Sequence, residues 1–374
     1  MQPYLNLKGG FERVILKIAQ HYKAPIYTLE YDRKGTFPEF GDVEVKILGK
    51  NESVSRLLPY RASQGFRYGY NFYNLKIKED YDVINSHISP SEWIRHKNKR
   101  VVWYCHTPPR EVYDLYHVRM RNRSGREKLL YAAMTSTYKL IAKGIVRNIE
   151  QIAANSNNTK ERISRYYGRD ATVINPGPGL DYSEFSNNGD EKFFFYPSRI
   201  VVNKRQDYVV DAFRHFAKRS KKNYKLIMAG PVSRDPEHRA YADKLRKLSA
   251  GYRIEIRTDI SDRELISLYS RCSAVVYAPI NEDFGLVPLE GMASSKPVIA
   301  VNEGGPREVI LDGKTGFLVN SPAEMADRMQ FIAEHQSAAT KMGKDGRKLA
   351  TTRYTWDAFF DKFDPLLRKT AKSS

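Results

Sequence analysis

The chain has little cysteine, no long apolar run and a shortage of acidic residues. Its 374 residues include only two cysteines, Cys105 and Cys272, far apart and without a CxxC spacing. A disulfide framework and a thiolate zinc site are therefore not expected. Nothing approaches the roughly 18 apolar residues of a spanning helix, and the mean hydropathy is -0.58. The opening MQPYLNLKGGFERV has no basic segment followed by an apolar one, so no secretory leader is read there. The expectation is a reduced, cytoplasmic chain. Internal repeats and low-complexity tracts are also missing, which excludes solenoids and disordered tails.

Acidic residues number 43 against 62 Lys and Arg, leaving +19. Such a surface seeks an anionic partner: nucleotide phosphates, nucleic acid or an acidic membrane. Charge alone does not choose among them. The densest stretch, His117 to Arg147, holds eight Lys or Arg against Glu127 alone. Within it Leu130, Met134, Tyr138, Ile141 and Ile145 recur at helical spacing. Two readings stay open: a core-packed stripe with a solvated basic face, or a surface helix lying on anionic lipid.

What is present is ample core. Hydrophobic residues make up 41% and aromatics 12%, enough for two packed domains at this length. Short apolar runs alternate with amphipathic segments, as in α/β folds with parallel sheets. The first half offers IYTLEY from Ile26, VEVKIL from Val43, DVINSHI from Asp82, RVVWYCH from Arg100 and QIAANS from Gln151. The second half offers KFFFYPSR from Lys192, YKLIMAG from Tyr224, YRIEIR from Tyr252, SAVVYAP from Ser273, KPVIAV from Lys296 and TGFLV from Thr315. Helical patterns lie between them, at 207–218, 262–270 and 286–294. Leu180–Glu191 is polar and periodless, a linker. Two Rossmann-like units joined there predict a ligand cleft at the carboxyl ends of the strands.

The chemistry concentrates in Glu282-Asp-Phe-Gly-Leu-Val-Pro-Leu-Glu290. It lies where the run AVVYAP gives way to a helical pattern. Gly285 opens the turn, so the N–H groups of Phe284, Gly285 and Leu286 can face an anion at the helix start. Arg199 and Lys204 follow the run FFFYPS and are suited to stabilising charge on a departing diphosphate. Gly9-Gly10 lets backbone approach a ligand closely, and His106 ends the strand VVWYC beside two prolines.

This run resembles the E-x7-E motif of the family-4 retaining glycosyltransferases, also called group 1, which have the GT-B architecture of two Rossmann-like domains facing across a cleft. Lys8-Gly9-Gly10-Phe11-Glu12 resembles the family's N-terminal glycine loop, and Tyr104–Arg110 its histidine loop. Ala154-Asn155-Ser156 resembles the last strand of the first domain. Ser198-Arg199-Ile200 with Lys204 resembles the basic pair opening the second domain, and Asn302–Glu308 the loop after the motif helix. The resemblance implies an N-terminal acceptor-side domain (1–184), a C-terminal nucleotide-sugar domain (185–354) and a final helix (355–374) crossing back. It implies transfer of a mannose- or glucose-type hexose from a GDP- or UDP-sugar to a lipid-linked or growing glycan. No obligatory cofactor or metal is implied.

In that scheme Arg199 and Lys204 hold the diphosphate with backbone from Phe284, Gly285 and Leu286. Glu290 holds the ribose, Glu282 and Asp283 orient the sugar, and His106 with Gly9 and Gly10 lines the reacting face. One departure stands out: only MQPYLNL occupies the place of the family's apolar first strand. Either that central strand is short or lost, or the true start lies upstream.

The resemblance also places such enzymes at a cytosolic membrane face, which the basic stretch 119–147 would serve. A glycoside hydrolase or sugar phosphorylase would share the paired carboxylates. A nucleic-acid binder would share the charge but lacks a recognition signature. Asp80-Tyr-Asp82 spells a metal-binding DxD, but Asp82 leads into the strand DVINSH. Adjacent Cys105 and His106 point to opposite faces of their strand and make no nucleophile pair.

Overall fold

The computed structural model describes residues 1–49, 60–121, 123–232 and 235–373. The chain divides into two compact units, Met1–Pro176 with Phe359–Ser374, and Gly177–Ala358.

The second unit is the more regular. Its strands are β8 (Phe193–Pro197), β9 (Lys225–Ala229), β10 (Ile254–Arg257), β11 (Ala274–Tyr277), β12 (Val298–Val301) and β13 (Gly316–Val319), numbered after the seven of the first unit. They form one parallel sheet in the order β10-β9-β8-β11-β12-β13. Phe193 to Pro197 are all buried, as a strand covered by helices on both faces requires. Helix Gln206–Arg219 buries Val209, Val210, Phe213 and Phe216 on one side, the spacing of a single helical face. The order reverses between β8 and β11, which are neighbours although β9 and β10 intervene in sequence. Loops leaving two such strands diverge and open a crevice at their carboxyl ends.

The first unit holds β1 (Gln2–Leu5), β2 (Ile26–Tyr31), β3 (Val45–Ile47), β4 (Ile84–Ser86), β5 (Val101–Cys105), β6 (Gln151–Ala154) and β7 (Thr172–Val173). Two parallel ladders run β1-β2-β3 and β4-β5-β6-β7. Met1 joins them: its nitrogen donates to the Asn85 carbonyl at 2.7 Å, and its carbonyl accepts from His87 N at 3.1 Å. The order becomes β3-β2-β1-β4-β5-β6-β7, the same reversal as in the second unit. The strand that the sequence seems to lack is therefore present, four residues long. It was illegible because Pro3 brings no N–H to a ladder and argues against a central strand. Strand β7, two residues long, also carried no pattern.

Each of the eleven sequence runs contains an observed strand, with bounds that agree within two residues at either end. The basic stretch forms a short helix, Tyr116–Arg121, and a long one, Gly125–Val146. Ser124 and Glu127 close a capping box at the start of the latter. Its expected stripe splits. Tyr138 and Ile145 are buried, Met134 and Ile141 are half-buried, and Leu130 is 41% exposed. Helix Trp356–Ala371 begins in the second unit, where Trp356 Nε1 donates to the Pro178 carbonyl at 3.2 Å. From Phe359 it belongs to the first, with Phe360 stacked on His21 at 3.6 Å and Phe359 edge-on to Tyr104.

Leu5, fully buried among Ile15, Leu16, Ala19 and Ile26, tests the importance of β1. Leu5→Ala should cost about 3 kcal/mol of stability, whereas Ile47→Ala, at a side chain 62% exposed, should cost under about 0.5 kcal/mol. Urea unfolding measures both, and equal effects would contradict the placement of β1.

Candidate functional site

The crevice between β8 and β11 gathers most of the residues singled out in the sequence. After β8 the chain makes Ser198 and Arg199, then a 3-10 turn at Val202–Lys204. Gly230, at the end of β9, has φ +150, and a Cβ there would sit 2.2 Å from the Ser198 carbonyl oxygen. Only glycine lets the two strand exits approach so closely. Gln206 Nε2 holds the turn, donating to Ser198 Oγ and to the Arg199 carbonyl, both at 2.9 Å. The Arg199 side chain itself is exposed.

Lys204 reaches across to the β11 exit. Its Nζ donates to Glu282 Oε2 at 2.7 Å and to Tyr277 Oη at 3.2 Å. Both ionic partners are mostly shielded, at 15% and 22% side-chain exposure, so screening weakens the pair less than a surface one. An ammonium has three N–H groups, and two of them are engaged by these two partners. Burial, and then the Glu282 charge, pushes the Tyr277 phenol well above its ordinary range. It therefore stays neutral.

Glu282 begins the segment Glu282–Glu290. Asp283 and Phe284 are buried, and the Phe284 ring packs on Tyr354 with centroids 5.7 Å apart. Gly285 stands at φ +107 as the N-cap of helix Leu286–Ala293 and, being glycine, brings no side chain of its own to cap it. Its first N–H groups carry the positive end of the helix dipole. Leu286 is half-buried. Behind the turn lie Gly304 and Gly305. A Cβ on either would come within 2.3 Å of the Glu282 or Phe284 carbonyl oxygen, and Gly305 N donates to the Glu282 carbonyl at 2.7 Å. Glu290 sits deeper in the helix, where Tyr269 Oη donates to its Oε2 at 2.6 Å. Burial and the Glu290 charge raise the Tyr269 pKa, which keeps that donor protonated. The second unit thus joins Lys204 to Glu282 directly, while Glu290 has a separate partner.

In the first unit Gly9 and Gly10 follow β1 and His106 follows β5. Gly9 is extended, which any residue can adopt. A Cβ at position 9 would lie 2.6 Å from Glu12 Oε2, the far end of a side chain that can shift, so neither backbone nor packing demands glycine there. His106 is 2% exposed, with Phe11 packed on its ring at 4.8 Å. Its Nε2 lies 3.2 Å from Nδ1 of His87, itself at the end of β4 and 3% exposed. Burial drives the His106 pKa down to about 3 and holds His87 well below the usual value. Both rings are neutral, and one donates to the other. Asn155 Nδ2 donates to the His106 carbonyl at 2.9 Å and fixes the backbone.

Sequence reading gave no role to Tyr277, Tyr269, His87, Arg205 or Glu303. His87 carried a usable signal, since it ends DVINSH as His106 ends VVWYCH. The tyrosines look like ordinary core aromatics, and only the fold shows their hydroxyls meeting glutamates. Asp80 and Asp82 are exposed and, with Glu79, border a cavity of about 600 Å³ in the first unit. No group of three or more His, Cys, Asp or Glu among the described residues has the geometry to hold a metal ion.

The basic helices present a mixed surface. Arg119 pairs with Glu111, Arg123 lies over the Tyr131 ring, and Lys139 lies over Tyr113 and Tyr116. Arg121, Arg126, Lys128 and Lys143 are exposed. So are Leu129 at 75%, Leu140 at 77% and Val118 at 52%. No helix among the described residues is long and apolar enough to cross a membrane.

Known proteins resemble nearly the whole length of the chain. Residues 8–181 match the family model described as Glycosyltransferase Family 4, and residues 181–349 match Glycosyl transferases group 1. The chain is 26% identical to the alpha-1,3/1,6-mannosyltransferase ALG2 of Dictyostelium discoideum, over 99% of this chain and 97% of that protein. It is 28% identical to the mouse (Mus musculus) ALG2, over 95% and 92%. Among solved structures, Anabaena Alr3699/HepE in complex with UDP-glucose superposes with a TM-score of 0.74 at 17% identity, covering 98% of this chain and 99% of that one. Sucrose-phosphate synthase of Thermosynechococcus elongatus gives 0.75 at 19% identity, covering both chains fully. At such identities the structures speak for the fold alone.

The histidine pair yields a pH test. Unfolded histidines take up protons near pH 6.5, whereas these two stay neutral when folded. Their contribution to stability is complete above that pH and declines as pH falls through it, by about 2 kcal/mol per histidine at pH 5. Of the 8 histidines, two should show ring resonances that do not move between pH 8 and 5, and these should vanish in the His87→Gln/His106→Gln variant. Titration of all eight near pH 6.5 would refute the buried pair.

Proposed function

Because this chain belongs to the family-4 glycosyltransferases, enzymes of the GT-B fold, we propose that it moves a hexose, with retention, from a nucleoside diphosphate sugar to a hydroxyl of a lipid-linked or growing glycan. Mannose from GDP-mannose is the first candidate, since the full-length relatives are mannosyltransferases by name. A UDP-hexose is the second, since a structural neighbour holds UDP-glucose.

The observation that carries this reading is the Lys204–Glu282 pair at the strand reversal, four residues before the start of helix Leu286–Ala293. In the proposed mechanism the diphosphate lies against the Leu286 end of that helix, with Arg199 and the third N–H of Lys204 on its oxygens. As the glycosidic bond lengthens, negative charge grows on the leaving phosphate, and these fixed donors stabilise it more than the ground state. Glu282 and Asp283 take sugar hydroxyls. Glu290, oriented by Tyr269, accepts from the ribose diol. His106 and the Gly9–Gly10 backbone line the reacting face, where a neutral imidazole exchanges hydrogen bonds with hydroxyls without adding charge. The reaction needs positioning and leaving-group stabilisation, and no obligatory metal. A hydrolase or phosphorylase reading has no observation of its own to favour it, and the same holds for nucleic-acid binding.

A thermal-shift screen of GDP, UDP, ADP and their sugars identifies the donor; a ligand at 100 times its Kd stabilises by about 2.7 kcal/mol. With that donor and EDTA present, Lys204→Ala should lower kcat about 100-fold. Glu290→Gln should mainly raise the donor KM, about tenfold. Wild-type kinetics in both variants would show that the donor binds elsewhere. Activity abolished by EDTA and restored by Mg2+ would overturn the metal-independent mechanism.

The helices from Tyr116 to Val146 suit reversible contact with the anionic cytosolic face of a membrane. Each exposed Lys or Arg near such a surface is worth about 1 kcal/mol, and Leu129 and Leu140 add apolar burial. Co-sedimentation with phosphatidylserine vesicles should weaken as salt rises. It should drop further in Arg121→Ser/Lys128→Ser/Lys143→Ser, whose targets are exposed, unlike the engaged Arg119 and Arg123. A wild type that ignores these vesicles at low salt would make a soluble acceptor the better reading.

A further inference from the structure

Arg205 breaks two local rules at once. It has φ 47 and ψ 48, left-handed backbone that a long side chain adopts only at an energetic cost. It is also the N-cap of helix Gln206–Arg219, where a cation opposes the helix dipole and a short polar residue or glycine is preferred. Strain of this kind persists where surrounding contacts over-determine it, and it concentrates at functional sites.

The guanidinium of Arg205 lies 5.4 Å from the centre of the Tyr208 ring, and its hydrogen bonds all go to one loop or to Glu303. Its Nε donates to the Ala278 carbonyl at 2.7 Å, and its Nη2 to the Pro279 carbonyl at 3.1 Å. The same Nη2 lies 2.9 Å from Glu303 Oε1, and the other oxygen of Glu303 accepts from Asn281 N at 3.2 Å. Ile280 N donates to the Asn203 carbonyl at 2.9 Å. Every residue from Ala278 to Asn281 is thus tied to the turn before Arg205 or to the Arg205–Glu303 pair. Asn281 is itself left-handed, at φ 41, and the next residues are Glu282 and Asp283. Lys204 grips this loop by the Glu282 side chain; Arg205, its neighbour, grips it by the backbone.

We propose that Arg205 is a positioning residue for sugar transfer. Without touching the donor, it sets, together with Glu303, the path of the 278–282 loop and so the placement of the Glu282 and Asp283 carboxylates. Lysine cannot replace it, because a point ammonium does not reproduce a planar fork on two carbonyls and a carboxylate. The inference rests on the donor site proposed above.

The test compares Arg205→Gly, Arg205→Lys and Glu303→Gln. Glycine adopts φ 47 without strain, so Arg205→Gly relieves the backbone while it frees the loop. We expect its melting temperature to stay close to wild type and its affinity for free GDP or UDP to stay within twofold. Its kcat with GDP-mannose or UDP-glucose should fall 10- to 100-fold, the penalty of a displaced reacting group. Arg205→Lys should lose as much, and Glu303→Gln should add little to Arg205→Gly, because the two act as one unit. A wild-type kcat in Arg205→Gly overturns the proposal. A fall in melting temperature that accompanies equal losses in nucleotide affinity and kcat also overturns it, in favour of a merely structural residue. If Lys204→Ala and Glu290→Gln are silent as well, the donor site itself has been misplaced. If they are impaired while Arg205→Gly is not, only the present inference fails.

Discussion

Parallel pairing of β8 with β11, Phe194 against Ala274 and Phe195 against Val275, sets two chain exits side by side that are about eighty residues apart in sequence. The second unit's chemistry depends on this pairing. It requires β8 to be apolar on both faces, hence the buried run from Phe193 to Pro197. It also requires the loops leaving both strands to turn away from each other, because their helices lie on opposite faces of the sheet. The crevice between them is polar because backbone groups and side chains that leave the sheet there have no further strand to join. Lys204 and Glu282 meet in that space, shielded by the walls that the two strands provide.

Polar order around the crevice is arranged in tiers. Lys204 and Glu282 neutralise each other, Tyr277 supports Lys204 from the sheet, and Tyr269 supports Glu290 from a neighbouring helix. Buried phenols suit this work, since burial raises their pKa and keeps the proton in place. Gly304 and Gly305 support the motif in another way, by letting two loops lie in backbone contact. Where the fold could have used glycine at position 205, an arginine stands instead, and its side-chain hydrogen bonds serve the loop that delivers the glutamate, two directly and one through Glu303.

The first unit repeats the sheet order with a different chemistry. Its reversal lies between β1 and β4, and the groups at its carboxyl end are glycines and two uncharged imidazoles. Removing His87 and His106 from water disfavours their charged forms, and each relieves the other by a hydrogen bond that needs only one proton between them. Loops that would otherwise be free are fixed by backbone-directed bonds such as Asn155 to the His106 carbonyl.

Much of this was legible in the sequence. Eleven of the strands announce themselves: those buried on both sheet faces as continuous apolar runs, and the less buried edge strands β3 and β10 as alternation of apolar with charged residues. The motif from Glu282 to Glu290, the Arg199–Lys204 pair, the Gly9–Gly10 turn and His106 are all contiguous or nearly so, and resemblance to the family's motifs picks them out. β1 was hidden by its proline, and β7 by its length. The stripe on the long basic helix misled, since periodicity identifies a face but not how much of that face a neighbour covers. What no local pattern contains is partnership at long range. Lys204 and Glu282 are 78 residues apart, and Arg205 and Glu303 are 98 apart. These pairs exist because strand order brings their loops to one edge, and strand order follows from how whole helices and strands pack. The sequence determined which groups the protein has; the tertiary structure decided which of them touch.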